Sequence, residues 1–392
     1  MSGLELTAGF IPLVDAAPLI VAREMGFADE EGLRLSLRRA PSWSMLRDML
    51  AVGQIEAAHM LGPVPVAMAL GLGGLSDRID VLSVLSVNGN VVGVSNEIAA
   101  QLREAGHPPG ALRDAATVGR ALIGLGRPLR IGVPFPFSMH AELLYYWLGS
   151  LGLAAPQALD VHTLPPQMMA DAIAADEIDA FCVGEPWGSI AVEGGVGELI
   201  LPTAAIRSFA PEKVLVVRHQ WAETEPDLTG RLMRAVWKAG RWLGRVENRI
   251  TAAELLHRPG YLGVSPEVID RALSGRLVTA RDGYEQHVPG FLEFHAGAAT
   301  FPWKSQAAWI AARLAARLGL ERGAAVSAAR AVFRTDLYRR HLAGTGAEMP
   351  GASDKLEGAL EVPTAVASES GRLQLMPDRF FDGAIFDPKA PV

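Results

Sequence analysis

The chain has one cysteine, Cys182, in 392 residues, so an internal disulfide is excluded. That cysteine lies in the apolar run IDAFCVGEPW, which reads as the end of a buried strand, and the low count fits a reducing compartment. Positive charge is also short, with 36 Lys and Arg against 43 Asp and Glu, a net charge of −7. Such a balance gives no basic field for a phosphate backbone, and any nucleic-acid role is therefore indirect. Long hydrophobic runs are missing too. The best candidate, VLSVLSVNGNVVGV, is broken by Asn-Gly-Asn and falls short of the roughly 18 apolar residues that a membrane span needs.

Catalytic signatures are equally scarce. No GxxxxGK[ST] loop is present, and the glycines of GLGRPLRIG do not match a dinucleotide fingerprint. The nine histidines form no HxH or HExxH pair, and the single cysteine forms no CxxC, so no metal site has a local signature. Neither a GxSxG elbow nor an SxxK pair appears. These absences argue against an enzyme and call for no cofactor.

The N-terminus reads as folded sequence. Its first basic residue is Arg23, and LELTAGFIPLVDAAPLIVAREMGF is a strand, a Pro-containing turn and an amphipathic helix, with no cationic n-region. The expectation is a chain with nothing to cleave, working in the cytoplasm.

What is present is an alternation of strand-like and helical segments. LELTAGFI, LRLSLRRA, EAAHML and DVLSVLSV alternate with helices predicted over 17–27, 43–52 and 63–71. A second set follows, with RIGVPF, ALDVHTL, DAFCVG and ELILP around helices over 139–152, 165–175 and 187–194. The pattern predicts α/β units with largely parallel sheets, and mainly helix beyond about residue 225. Two such sets predict two lobes, one from 1–90 plus 210–392 and the other from 91–209, with a cleft at the carboxyl ends of the strands. The aromatic tail PDRFFDGAIFDPKAPV is expected to pack on the body.

Several stretches at strand ends and helix starts, where cleft residues belong, carry polar and aromatic groups: APSWSMLRDML, VNGN, FPFSMH, PPQMMADAIAADEIDAFCVGEPWGSIAV, PEKVLVV and FPWKSQAAW. In FPFSMH a histidine, His140, stands in the first turn of a helix, where unpaired backbone N–H groups gather and anions bind. Read locally, His140 is an anion donor or a cap, and Trp43 is a core residue or a ligand wall. Gln167 donates to a ligand or caps its turn. Arg231, Arg234, Lys238, Arg241, Arg245 and Arg249 line one face of a predicted helix, either solvated or a docking stripe for an acidic partner.

The order and spacing of these motifs, PPQM, FCVGEPW and FPWKS above all, resemble the nitrate- and bicarbonate-binding proteins of ABC transporters over residues 4 to 310. The resemblance implies the type II periplasmic-binding-protein fold, two α/β lobes closing on a small anion, with a helical C-terminal extension. Carried over singly, it implies ligand roles for Trp43, Asn90, His140 and Lys213. Asn90 is a departure, since a longer amide is expected in transport members. Gln167, Glu185 and Trp187 form a second tier, and Glu185 and Trp187 are expected to orient the hinge because a carboxylate repels an anion. Bicarbonate-binding relatives hold calcium with acidic residues, whereas His140 with Lys213 fits nitrate.

Within the family, the leaderless form resembles the cytoplasmic nitrate/nitrite sensors of the NasS type. These pair with an RNA-binding antitermination protein of the NasT type that regulates nitrate assimilation. The alternative is the substrate-binding component of a nitrate/nitrite or bicarbonate transporter. An enzyme related to the thiamine-precursor synthases ranks third.

Overall fold

The computed structural model describes residues 3–74, 78–108, 114–369 and 371–390. Its strands form two main sheets. The first contains β1 (Leu4–Phe10), β2 (Leu33–Arg39), β3 (Ala57–Leu61) and β4 (Ile79–Asn88). The second contains β5 (Asn90–Ser95), β6 (Arg130–Val133), β7 (Asp160–Thr163), β8 (Ala180–Gly184) and β9 (Gly197–Pro202). The chain then returns to the first sheet as β10 (Pro211–Arg218). In space the second sheet runs β7-β6-β8-β5-β9, and the first runs β4-β10-β3-β1-β2, with the short strand Leu292–Glu293 outside β4. Strands β3, β4, β8 and β9 are buried along their whole length. Helices cover both faces there, which is why these strands read as continuous apolar runs without alternation.

Neither sheet is largely parallel, contrary to the expectation from the alternating pattern. β1 lies parallel to β2 and β3, and β6 parallel to β7 and β8, but β10 is antiparallel to β3 and β4, and β5 is antiparallel to β8 and β9. The reversed strands are those that arrive from the other sheet. β4 passes into β5 through Gly89 alone, and β9 reaches β10 through residues 203–210. Each passage is too short to carry the chain back to the end at which the strands beside it begin, so the arriving strand runs against them.

The double crossing is fixed by one side chain. Asn88 adopts φ 60°, and its amide donates to the carbonyls of Ser208 and Gly290 at 2.8 and 3.0 Å while its oxygen accepts from Ala210 N at 3.0 Å. Asparagine tolerates the left-handed region better than other side chains of its size. Both passages are thereby held in one register.

Beyond residue 225 the chain is mainly helical, as expected, but it also forms the hairpins Arg276–Val278/Glu285–His287 and Thr364–Ser368/Gly371–Leu375. The tail packs on the body. Arg207, in the return crossing, pairs with Glu357 at 2.6 Å and lies against the neighbouring rings of Trp309 and Phe380, 4.8 and 5.0 Å away. Tyr146 of the helix Met139–Ser150 donates to Asp382 at 2.7 Å. The cationic stripe on the helix Pro226–Leu243 is largely used inside the fold. Arg234 bonds Glu31, and Lys238 bonds both Glu30 and Glu31.

Asn88→Ala removes three hydrogen bonds and leaves a β-carbon in the left-handed region without compensation. It is expected to lower the unfolding free energy by about 2–4 kcal/mol, read by chemical denaturation, with Asn88→Gly recovering the backbone part only.

Candidate functional site

The carboxyl ends of β1, β3, β6 and β8 and the start of β10 converge between the two sheets. After β1 the turn Val14–Ala16 presents Asp15, and β3 presents His59. Trp43 opens the helix Trp43–Ala51, capped by Ser42, whose hydroxyl accepts from Met45 N. His140 stands in the first turn of Met139–Ser150, capped in the same way by Ser138, which accepts from Ala141 N at 3.2 Å. Two helices thus turn their positive ends toward one place.

Lys213 occupies the centre. Its Nζ lies 2.7 Å from Asp15 Oδ2 and 2.8 Å from Glu212 Oε1. Glu212 and Lys213 are adjacent on a strand, where side chains ordinarily alternate between faces. Here Pro211 pairs with Val87 and Lys213 with Ser86, so Glu212 is an extra residue in the ladder. Such a bulge re-aims side chains, and both groups reach the same cluster. His59 Nε2 completes the set at 2.9 Å from Asp15 Oδ1. Asp15, His59, Glu212 and Lys213 are all 2% exposed or less.

Burial and pairing set the charges. Burial pushes the Asp15 carboxyl up, but Lys213 and His59 outweigh it and hold the group down at about 2. Burial lowers Lys213, yet its two carboxylates raise it overall, so the ammonium persists. Burial keeps His59 below the ordinary imidazole range and His140 well below it. Burial raises Glu212, and Lys213 opposes that without cancelling it.

All four of the principal residues expected from the sequence meet here. Trp43, Asn90, His140 and Lys213 are buried, and Lys213 Nζ lies 5.7 Å from the centre of the Trp43 ring. Among the described residues, Trp43 Nε1, both His140 ring nitrogens, and both Asn90 side-chain atoms have no hydrogen-bond partner. His140 Nδ1 stands 3.4 Å from Glu212 Oε1, long for a hydrogen bond. Buried polar atoms left unpaired cost free energy, so several around one lysine mark a place built for a polar ligand. An ideal β-carbon on Gly184 would lie 3.1 Å from Leu13 and 3.3 Å from Asn90 Oδ1. The glycine lets the backbone of β8 approach the cluster.

The second tier lies elsewhere and does another job. Trp187 Nε1 donates to the Pro12 carbonyl at 2.8 Å, Gln167 Nε2 to the Pro41 carbonyl at 3.2 Å, and Val14 N to the Glu185 carbonyl at 2.9 Å. Each bond joins one sheet's surroundings to the other's. Gln167 is neither a simple cap nor a neighbour of Lys213; it bridges the cleft. The Glu185 carboxyl accepts from Ser189 N at 3.1 Å, away from the lysine.

Sequence reasoning missed Asp15, His59, Glu212 and Gly184. Glu212 sits inside the quoted PEK motif, but an alternating strand would have turned it away. Asp15 offered one signal, an acidic residue in the turn that follows a strand.

Asp15 and Glu212 do not form a calcium site, because a cation between them would displace Lys213 Nζ. Another group of metal-ligand types, Asp80, His219 and Glu223, is cross-linked by Arg334, which bonds both Asp80 and Glu223.

A model of the NMT1-like family matches residues 4–257. The nitrate import ATP-binding protein NrtC of Synechocystis sp. PCC 6803 is 32% identical over 80% of this chain, which spans 46% of that relative's length. The nitrate/nitrite binding protein NrtA of Nostoc sp. PCC 7120 is 29% identical over 98% of this chain and 83% of its own. Among solved structures, the periplasmic nitrate-binding protein NrtA from Synechocystis PCC 6803 superposes with a TM-score of 0.83 at 26% identity, covering 99% of this chain and 96% of that one.

Burial pushes Glu185 up to about 7. A carboxyl raised on folding lends stability below its unfolded value, and that stability is lost as pH rises through the folded one. Glu185→Gln, which keeps an oxygen for Ser189 N, is expected to unfold nearly like the parent near pH 4 and to gain about 3 kcal/mol near pH 8. Thermal melts at the two pH values check this.

Proposed function

The chain belongs to the NMT1-like family and has the periplasmic-binding-protein fold; on that premise we propose that it binds nitrate or nitrite between its two sheets and acts through closure, not catalysis. The observation that carries the reading is the ring of unpartnered donors, Trp43 Nε1, His140 and Asn90, beside the Lys213 ammonium. Nitrate is a planar monoanion with three weakly basic oxygens, so it needs several donors at once and one nearby positive charge. Charge-assisted bonds contribute about 1.5–3 kcal/mol each. Three or four, less desolvation and closure, leave about −7 to −9 kcal/mol, a micromolar constant.

Lys213 separates this site from one for bicarbonate with calcium, because the lysine takes the cation's place between the acids. With lobe boundaries at 1–90 plus 210–392 and 91–209, Trp43 and Lys213 would stand on one lobe and His140 on the other; Asn90, at the boundary, begins β5 of the second sheet.

Two roles follow from the same chemistry. In the first, the chain is a cytoplasmic sensor, and the anion-closed form releases an RNA-binding antitermination partner of the NasT type. In the second, the chain delivers the anion to an ABC permease. The names of the relatives, a nitrate/nitrite binding protein and a nitrate import protein, support that role.

Isothermal titration with nitrate, nitrite and bicarbonate tests the shared step. Micromolar binding of nitrate or nitrite is expected. His140→Ala and Lys213→Met weaken it by about 10- to 100-fold, and Trp43→Phe, which removes only the N–H, by about three- to tenfold. Binding of bicarbonate alone overturns the reading. Gel filtration with a NasT-type regulator separates the roles: a complex dissolved by nitrate supports the sensor, and no complex in either condition removes it.

A further inference from the structure

The anion site holds more acid than base. Asp15 and Glu212 place two carboxylates against the single ammonium of Lys213, and the imidazoles of His59 and His140 are neutral. With both acids ionised, this enclosure is already net negative before an anion enters. Every one of these groups is 2% exposed or less, so water does little to screen them. An anion arriving beside a buried carboxylate raises that carboxyl's proton affinity, because two like charges at short range in a poorly polarisable medium repel strongly.

The groups facing the site differ in their ability to accept the proton. Asp15 is held ionised by two partners, Lys213 at 2.7 Å and His59 at 2.9 Å. Lys213 is protonated already. Cys182 of β8 is a buried thiol, neutral and pushed higher by burial and by Glu212. Glu185 turns its carboxyl to Ser189 N, and Glu142, on the same helix as His140, pairs with Arg317. That leaves Glu212. One Glu212 oxygen accepts from Lys213 at 2.8 Å and has His140 Nδ1 3.4 Å away; the other has no well-formed hydrogen bond, and the Asn90 side chain beside the carboxyl favours its ionised form without offsetting burial. The two helix N-termini favour an entering anion and an ionised Glu212 alike, so they do not decide between them.

We propose that the site takes up one proton with each oxyanion and that Glu212, coupled to His140, is the residue that holds it. Glu212 is then the specificity-determining acid of the site. Protonated, it presents an O–H donor to the ligand and leaves Asp15 and Lys213 as a balanced pair. A monoanion adds one charge, and one proton cancels it. A dianion of similar size brings a second charge for which the cluster has no further acceptor, and is rejected. The inference rests on the anion-binding reading and goes beyond it in fixing the charge of the bound state.

Nitrate is the probe of choice. As the base of a strong acid it carries no proton itself, so any proton taken up belongs to the protein. Calorimetric titration of the full chain in two buffers of different ionisation enthalpy, between about pH 6 and pH 9, reads the uptake directly. Uptake is expected to rise toward about one proton per nitrate at the alkaline end, with the dissociation constant rising about tenfold per pH unit there and flattening at the acid end. Glu212→Gln is expected to bind nitrate with no buffer dependence and no pH slope, and so more tightly than the parent at the alkaline end. Equal heats in both buffers and a constant affinity across the whole range overturn the proposal while leaving nitrate binding intact, as does uptake that persists in Glu212→Gln. If that variant does not fold, infrared difference spectra of the parent decide: a protonated carboxylic acid band appearing with nitrate supports the proposal, and its absence overturns it. Failure to bind nitrate, nitrite or bicarbonate at any pH instead overturns the binding reading, and the proton proposal falls with it.

Discussion

A buried ammonium held by two carboxylates is the constraint from which the rest of the structure takes its form. Removing Lys213 from water costs several kcal/mol, and only near-ideal partners return it. Asp15 and Glu212 supply them at 2.7 and 2.8 Å. Each partner then imposes something on its own element. Asp15 requires β1 to end in a tight turn, and Glu212 requires β10 to carry an extra residue against β4. β10 enters the first sheet from the crossing that Asn88 pins. Crossing, bulge and site are consequently one construction.

The contacts that join the two halves fall into two groups. At the cleft the bonds are single and run to backbone carbonyls, from Trp187 to Pro12, Gln167 to Pro41 and Val14 to Glu185. Elsewhere the attachment is broader. Arg317 pairs with Glu142 and lies 4.9 Å from the Tyr145 ring, Arg313 lies 5.3 Å from the Tyr146 ring, and Tyr146 bonds Asp382 of the tail. Both sets touch either the helix that carries His140 or the turns beside it. Ring packing and charge-assisted bonds in partly buried positions outlast single neutral bonds to backbone carbonyls. The cleft contacts are the ones that give way first.

Much of this was legible in the sequence, and the failures have physical causes. Strand and helix positions up to residue 202 follow the apolar pattern closely, because strands buried on both faces leave an unbroken hydrophobic signature. Strand direction did not follow, since alternation says nothing about which sheet a strand joins. Trp43, Asn90, His140 and Lys213 were accessible through their motifs at helix starts and strand ends. The acids and His59 were not. A carboxylate beside an anion site contradicts simple charge matching, and one residue of bulge, invisible in composition, turns Glu212 inward. The cationic stripe failed in the opposite sense. The helix ends at Leu243, before Arg245 and Arg249, and within it Glu30 and Glu31, distant in sequence, accept Arg234 and Lys238.

On the proposed reading, closure and ligand binding are linked through the unpaired donors. In an open cleft Trp43 Nε1, His140 and Asn90 bond to water at little cost, whereas in a closed one each unpartnered group costs about 1–3 kcal/mol. The bridging bonds of Trp187, Gln167 and Val14 each contribute about 1 kcal/mol net, so they do not by themselves outweigh several buried orphans. An oxyanion that satisfies those donors removes the penalty and tips the balance. A ligand shifts such an equilibrium only by its differential affinity for the two forms, and here that difference resides in the polar atoms around Lys213. Under the proposed function, a partner that distinguishes open from closed would read the anion without touching it.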